Sequence, residues 1–597
     1  MKATTPERSP LHLSDFSIDR RVIAVSAIAV GIGALAAGAA ALLLKLIDLF
    51  TNLFFFLRLS TEHVTPAQHQ LGVWAVLVPV AGALVIGFMA RFGSDRIRGH
   101  GIPEALESIL LNGSKVEPKL AILKPSSAAI SIGSGGPFGA EGPIIMTGGA
   151  LGSLVAQFVH LTAAERKTLL VAGAAAGMSA TFAAPVASVA LAVELLLFEL
   201  KPRSFVPVAL ASAVALVARV ALLGPGPVFA TPHHAAVTDL RTVGACAALG
   251  LAAGSISALM TKSVYFWEDR FQSLRLHWMW WPALGAIAVG LGGLLEPRAL
   301  GVGYDVIGDF LQGMMPTGEI LSLVVVKWAI WSIALGSGTS GGVLAPLLIV
   351  GSGLGGVADA VLPYEGAGFW PLISMGAILG AMMRAPLTGI VFAVELTHDY
   401  GALLPLLVAC AVAHGFSSLV MKRSILTEKI ARRGYHLTRE YQVDPLEVLF
   451  VRDVMRSAPA IPADSVPSQV AALLAGKGGS RERLYAVVDP EGKLVGVATR
   501  VNLELWSRDG HESSIASLAV EPVVAYADES LREIAYRMAE TRRTRLPVVD
   551  REDPRKLLGL VTLRLLLSAR LRHLEDEKRR ERVFTAGFMV PRSLRRS

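Results

Sequence analysis

The chain has 597 residues, of which 53% are hydrophobic and 17% charged, and its mean hydropathy is +0.53. It is too long and too apolar for one soluble domain, so the composition predicts a membrane protein. The formal net charge of +8 suits a basic surface beside a lipid bilayer and requires no nucleic-acid partner. Cys246 and Cys410 lie in apolar runs, which predicts buried thiols and no disulfide framework.

The distribution of charge predicts the domains. Residues 1–20 are polar, and the next apolar run is about twice as long as a signal-peptide core, so no cleavable signal is predicted. Charge rises after Met421, and the basic C-terminal end favours a cytoplasmic location for both termini. We expect an integral membrane protein with these parts: cytoplasmic N-terminus 1–20, membrane domain 21–435, linker 436–450, two soluble repeats at 451–515 and 516–572, and basic tail 573–597.

Several of the apolar segments are too short to span a bilayer in a straight line, which predicts helices that stop midway around a polar cavity. In chain order the segments are 22–57, 72–91, 143–159, 166–181, 184–199, 205–223, 240–264, 278–295, 318–335, 343–361, 370–382, 385–398 and 401–420.

Glu141 is a carboxylate in the sequence Gly139-Ala140-Glu141-Gly142-Pro143, with apolar sequence on both sides. An ionisable group at membrane depth usually lines a transport route. The glycines and the proline predict a helix N-terminus whose backbone N–H groups can face an anion. The carboxylate could therefore take the place of a mobile anion and act as a gate.

The membrane domain contains an internal repeat. Pro143 and Pro346 begin similar segments at an offset of 203 residues. Farther along, Glu194 and Glu395 each follow an Ala-Pro pair by nine residues, at an offset of 201. Two matches at nearly the same offset predict two structural halves of about 200 residues, an arrangement common in transporters.

The soluble part also repeats, and its alternating strands and helices predict an α/β domain. The first repeat is expected to contain a helix at 468–475 and strands at 484–488 and 495–498. The second is expected to contain strands at 522–525, 546–549 and 558–561 and a helix at 531–541.

Together these motifs resemble the CLC family of chloride channels and chloride/proton exchangers. The resemblance rests on Gly99–Glu104 (GHGIPE), Gly139–Pro143 (GAEGP), Gly341–Pro346 (GGVLAP) and Arg384–Gly389 (RAPLTG). The tail resembles a tandem CBS pair, through Arg545–Asp550 (RLPVVD) and Gly559–Thr562 (GLVT). The resemblance implies a polytopic all-α membrane fold with two inverted halves and broken, re-entrant helices. It also implies a cytoplasmic α/β CBS module and a homodimer with one chloride pathway per subunit.

Carried over by position, the resemblance makes Glu141 the gating glutamate. The anion would be held around His100, Gly101, Ala140, Gly142, Val343, Leu344 and Leu426. Weakly charged helix N-termini suit this task, because a transported ion must also be able to leave.

The chain departs from the family pattern at three positions. His100 replaces a serine, and it is either a pH-dependent donor to the anion or a polar pocket residue of suitable size. Leu426 replaces a tyrosine, so an inner hydroxyl is lost. Leu195 replaces a proton-transfer glutamate, and Glu199, four residues on, is the nearest possible substitute. Glu194 and Glu395 are expected to be paired structural carboxylates near helix ends.

In the CBS pair, Thr499, Asn502 and Thr562 are the candidate contacts to an adenine nucleotide. The family's aspartate, three residues after each threonine, is replaced by Asn502 and Leu565. This replacement argues against nucleotide binding and favours a dimerisation and regulatory module.

The missing relay at Leu195 favours a passive, pH-gated chloride channel, with chloride/proton exchange as the alternative. A CBS-regulated Mg²⁺ transporter would require clustered carboxylates, and the carboxylates here are isolated. No nucleophile–base pair or metal-ligand cluster suggests an enzyme, and no cofactor is required. The fluoride-specific branch has methionine at the position of His100.

Overall fold

The computed structural model describes residues 20–110, 112–229, 231–432, 446, 449–475, 483–509 and 514–578. The chain divides into two compact units, Met1–Arg439 and Glu440–Ser597. The predicted N-terminal segment, most of the linker and most of the basic tail lie outside the described residues. Seven helices in the described parts are long and apolar enough to cross a membrane.

The first half of the membrane unit consists of eight helices within the described residues. They are α1 Arg21–Phe56, α2 Leu77–Phe92, α3 Ile102–Leu110, α4 Pro118–Gly133, α5 Glu141–Gln157, α6 Ala163–Phe182, α7 Pro185–Leu191 and α8 Pro202–Leu223. A π-helical turn, Ala192–Leu197, extends α7.

The second half repeats this series about 200 residues later. Its helices are α9 Leu240–Gln272, α10 Trp281–Leu295, α11 Tyr304–Leu311, α12 Thr317–Gly336, α13 Leu344–Ala358, α14 Phe369–Met383, α15 Pro386–Thr397 and α16 Leu403–Val420. The short helix α17, Ile425–Arg432, follows. The order of long and short helices is the same in both halves, so the internal repeat predicted from the sequence is a repeat of structure.

Two glutamates show how the halves are related. Glu194, at the C-terminal end of the α7 segment, accepts hydrogen bonds from the N–H groups of Leu387 and Thr388 at 3.1 and 2.8 Å. Glu395, near the end of α15, accepts from Val186 and Ala187 at 3.0 and 2.7 Å. Each carboxylate thus caps the N-terminus of the equivalent helix in the other half. Equivalent helices therefore run antiparallel, as expected for inverted halves.

The sequence analysis missed α3, α4, α11 and α17. Within α4, Lys124, Pro125 and three serines lower the apolar character, yet Lys124 is fully buried. The other three helices have eight or nine residues, too few to give an apolar run of spanning length. These short elements border the functional site.

The soluble unit contains two three-stranded sheets within its described residues. The first has the order β1 Ala460–Pro462, β2 Leu484–Val488, β3 Leu494–Thr499; the second has β4 Ala525–Tyr526, β5 Arg545–Val549, β6 Leu557–Thr562. In each sheet the first pair of strands is parallel and the second antiparallel. The helices Pro467–Ala475 and Leu531–Thr541 lie as predicted, whereas β1 was not predicted.

The second sheet is flanked by a buried ion pair between Arg537 and Glu529, whose Nη2 and Oε1 atoms are 2.5 Å apart. Burial lowers the pKa of the Arg537 guanidinium, but hydrogen bonding and attraction from Glu529 outweigh this effect and leave the pKa raised.

Candidate anion site

The two halves meet at a pair of helix N-termini. Glu141 is the first residue of α5, and Leu344 is the first residue of α13. The loops that precede these helices are joined by a hydrogen bond from the Gly342 N–H to the Gly139 carbonyl at 2.9 Å. Since each helix N-terminus carries about half an elementary positive charge, this junction favours an anion.

The Glu141 carboxylate occupies the junction. Its side chain is fully buried, and Oε1 accepts a hydrogen bond from the Tyr304 hydroxyl at 3.0 Å. The N–H groups of Glu141 itself and of Ala345, in the first turn of α13, face the carboxylate. Oε2 has no hydrogen-bond partner among the described residues. The tethered carboxylate thus lies between the two helix ends, and its role as a gate stays a prediction.

The approach of the two loops requires glycine. A Cβ atom added to Gly342 would lie 2.4 Å from the Gly139 carbonyl oxygen and 2.9 Å from Glu141 Oε2. Both distances are shorter than real carbon contacts allow, so a side chain at Gly342 would displace the carboxylate or separate the loops.

Tyr304 was not predicted as a site residue. Its ring lies 6.1 Å from Phe182 and 6.0 Å from Phe229, and Phe182 in turn packs against Phe392 at 4.9 Å. These rings surround the hydroxyl that holds Glu141. The repeat could have indicated this position, since Gly301-Val302-Gly303-Tyr304 is the second-half counterpart of Gly99-His100-Gly101-Ile102.

In the Gly99–Glu104 motif, the Gly101 backbone N–H is not free to bind an anion. The Gly101 N–H donates to Glu104 Oε2 at 2.9 Å, so this amide already has an anionic acceptor within the protein. The other oxygen of Glu104 pairs with Lys429 Nζ at 2.5 Å. His100 is only 4% exposed, and its Nδ1 has no hydrogen-bond partner among the described residues.

The remaining predicted anion contacts are buried. Ala140 and Val343 immediately precede α5 and α13, and Gly142 follows Glu141 in the first turn. Leu426 is fully buried in the first turn of α17. The structure thus brings the α5 and α13 residues together, and the role of Leu426 at the anion position stays a prediction.

Two buried lysines support the loops on either side of the junction. Lys124 Nζ donates to the carbonyls of Ile97 and Gly99, each at 2.7 Å. Lys327 Nζ donates to those of Ala299 and Gly301 at 2.9 and 2.7 Å. The lysines occupy equivalent positions in the two halves, and each fixes the loop that leads into α3 or α11.

The candidate proton-relay position is apolar and closed. Leu195 is fully buried in the π-helical turn. Glu199 lies 3.5 Å from Lys201 Nζ and 3.6 Å from an Arg203 nitrogen. Two cations thus flank the proposed substitute, beyond the end of the helix that carries Leu195.

Comparison with known proteins matches this architecture. The family model described as voltage gated chloride channel matches residues 81–418, more than half of the chain. The chain belongs to this family, the CLC family. A CBS domain model matches residues 451–504 and 515–572 of the soluble unit.

Individual relatives cover mainly the membrane unit. A protein of Ralstonia nicotianae named as a ClcB-like chloride channel protein is 28% identical over 394 residues, 64% of this chain and 91% of that protein. The H(+)/Cl(-) exchange transporter ClcA of Salmonella paratyphi A is 30% identical over 398 residues, 62% of this chain and 81% of the relative. The structure of a slow cyanobacterial Cl-/H+ antiporter covers 70% of this chain and 99% of its own, with a TM-score of 0.61 and 21% identity. This CLC protein is accordingly an integral membrane protein for anion transport.

In the CBS pair, the candidate nucleotide contacts fall at helix starts. Thr499 accepts from the Asn502 N–H, and Thr562 accepts from the Leu565 N–H, both at 3.3 Å. Thr499 and Asn502 line a cavity of about 70 Å³, which Thr562 does not line. Ligand pockets usually have about 300–1,000 Å³. Among the described residues of the whole chain, no group of three or more His, Cys, Asp or Glu side chains could hold a metal ion.

Proposed function

We propose that this protein exchanges chloride for protons across the membrane, with Glu141 alternately occupying the anion position and carrying the proton. The position of the Glu141 carboxylate carries this proposal. It lies between the N-termini of α5 and α13, where the Tyr304 hydroxyl and backbone N–H groups face it. A carboxylate there competes with chloride when ionised and leaves the position to chloride when protonated.

The ClcA relative supports exchange rather than passive conduction, whereas the Ralstonia relative is named a chloride channel protein. A curated relative at 30% identity is named an H(+)/Cl(-) exchange transporter. The match covers 81% of that relative and 62% of this chain. This support outweighs the channel interpretation that the sequence departures alone favour.

A passive chloride channel is the second candidate, because Leu195 cannot carry a proton. If the protein is an exchanger, a proton must reach Glu141 from the α17 side without the proton-transfer glutamate that Leu195 replaces. Such a route would have to begin at the cavity of about 590 Å³ that Gly99 and His100 line. Under conduction, Glu141 would be protonated only from the opposite side and would act as a gate.

The test is proton movement in proteoliposomes. With an outward chloride gradient and no initial pH difference, exchange predicts proton uptake as chloride leaves, including uptake against an opposing pH gradient. The Glu141→Gln variant serves as the uncoupled control. Chloride loss without proton movement in the wild-type protein would exclude exchange and leave the channel.

We further propose a homodimer in a bacterial inner membrane with both termini cytoplasmic. The support is the family membership and the bacterial source of the curated relatives. The dimer is tested by the mass of the detergent-solubilised protein. Orientation is tested by labelling single cysteines introduced near either terminus in intact cells.

A further inference from the structure

A cavity of about 590 Å³ opens at the end of the membrane unit where α17 lies, and we call it the vestibule. Gly99 and His100 line its inner part, together with Ile425 of α17. We take the vestibule as the approach to the anion site from this side, because His100, a predicted anion contact, lines it. Its fixed charges therefore determine the local chloride concentration beside the first motif.

The vestibule carries four basic side chains, Arg96, Arg98, Lys429 and Arg432. Three of them have acidic partners. Lys429 pairs with Glu104 at 2.5 Å, Arg96 with Glu117 at 3.8 Å, and Arg432 with Asp269 and Glu428. Within the part of the chain that the structure describes, Arg98 forms no ion pair, and its Nε has no hydrogen-bond acceptor.

Aromatic side chains hold Arg98 in place of a carboxylate. Its guanidinium lies 4.7 Å from the ring centroid of Trp278 and 5.7 Å from that of Trp281. Such contacts fix a guanidinium while leaving its charge and its N–H donors available. Gly338, at φ +83°, makes room for the group, because a Cβ there would lie 2.5 Å from a terminal Arg98 nitrogen.

Arg98 and His100 flank Gly99 in the sequence, and all three line the vestibule. His100 adds a buried Nδ1 without a partner among the described residues. The second half lacks this pair, since the equivalents of Arg98 and His100 are Leu300 and Val302. Of the two motifs that the repeat relates, the first therefore combines a guanidinium held by aromatic rings with an unpartnered ring nitrogen, and the second does not.

We propose that Arg98, held by Trp278 and Trp281, is the residue that recruits chloride into the vestibule and passes it toward His100. The ligand class is a small monovalent anion. Asp95 and Glu268 also line the vestibule, and their negative charges act on Arg98 without pairing with it. Glu107 lines the vestibule as well. These acidic side chains oppose accumulation of chloride, and within the described residues Arg98 is the basic side chain of the vestibule that has no ion-pair partner. This inference takes from the proposed function that chloride is the transported ion. It does not require that chloride transport is coupled to protons.

The test is the initial chloride flux of Arg98→Gln in proteoliposomes at subsaturating chloride. At low concentrations of an impermeant salt, we expect the flux to fall by roughly fivefold, because one focusing charge is lost. At high ionic strength the difference should shrink, since salt screens the charge. Arg96→Gln is the matched control from the same vestibule, and its flux should change far less because Arg96 is already paired.

Two further variants separate charge from folding. Arg98→Lys keeps the charge and should restore most of the flux. Glu268→Gln leaves Arg98 intact and should raise the flux at low ionic strength. Equal flux for Arg98→Gln and Arg96→Gln, or no increase for Glu268→Gln, would overturn the proposal.

The ratio of protons to chloride distinguishes this proposal from the proposed exchange. Arg98→Gln should lower both fluxes together and leave their ratio unchanged. If the wild-type protein moves no protons, exchange fails, but the dependence of chloride flux on Arg98 and on ionic strength still tests recruitment. A changed ratio with an unchanged chloride flux would contradict recruitment.

Discussion

The two halves of the membrane unit share a scaffold but differ in chemistry. The buried lysines Lys124 and Lys327 and the capping glutamates Glu194 and Glu395 make equivalent contacts in each half. Glu141, by contrast, is matched by Leu344 in the other half. The repeated residues position helix ends, whereas Glu141 lies at the junction of helix N-termini that we propose as the anion site. The proposed function therefore depends on a residue at which the two halves differ.

The largest expected effect comes from Glu141, the residue whose counterpart in the other half is Leu344. Glu141→Gln should lower proton transport at least tenfold, because glutamine cannot release a proton at this position. Chloride flux should persist and lose its pH dependence. Paired measurements of chloride and proton flux in proteoliposomes check this expectation. A variant that still moves protons at the wild-type ratio would show that Glu141 is not the carrier.

The two lysines at equivalent positions of the halves test whether the scaffold is shared. Lys124→Met and Lys327→Met should each destabilise the protein by about 2–4 kcal/mol, because each leaves two buried carbonyls without a donor. Thermal unfolding in detergent provides the measurement, and the two variants should have similarly lowered transition temperatures. A large effect from one lysine and none from the other would mean that the halves do not use them equivalently.

The sequence predicted those features of the fold that depend on patterns extending over many residues. Long apolar segments and the 203-residue offset gave most helices and the repeat, because these patterns depend on many residues. The contact between Tyr304 and Glu141 could not be predicted, since it joins residues 163 positions apart. Arg98 was also missed, because a single arginine in sequence looks like a surface charge until its aromatic neighbours are known.

The capping glutamates sharpen the distinction between scaffold and chemistry. Glu194→Gln and Glu395→Gln should each cost about 1 kcal/mol of stability, because a neutral amide accepts from the helix N–H groups more weakly. Neither should change the ratio of protons to chloride. Thermal unfolding and flux measurements on both variants provide the check. If only Glu194→Gln abolished proton transport, Glu194 would be a proton carrier.

A substitution of Tyr304 tests the hydrogen bond that holds the Glu141 carboxylate. Its hydroxyl donates to the Glu141 carboxylate and thereby favours the ionised form. In Tyr304→Phe, protonation becomes easier, so acid activation of chloride flux should reach its half-maximum about 0.5–1 pH unit higher. Flux measured across a pH series provides the comparison, with Phe182→Leu as a neighbouring control that keeps the hydrogen bond. A shift to lower pH would contradict the assigned donor.

The soluble repeats give the smallest expected effect. Asn502 stands where the family has an aspartate, so ATP should leave the thermal unfolding of the wild-type protein unchanged. Asn502→Asp would supply a carboxylate beside Thr499 and should allow a small stabilisation by ATP. Wild-type protein that is stabilised by ATP at micromolar concentration would refute this expectation.

The central claim is that chloride and protons are coupled at Glu141. The most direct measurement is the reversal potential of the wild-type protein in a bilayer with a fixed chloride gradient and a varied pH gradient. Coupled exchange predicts a reversal potential that moves with the pH gradient, and this movement should vanish in Glu141→Gln. A wild-type reversal potential that follows the chloride gradient alone would contradict the account.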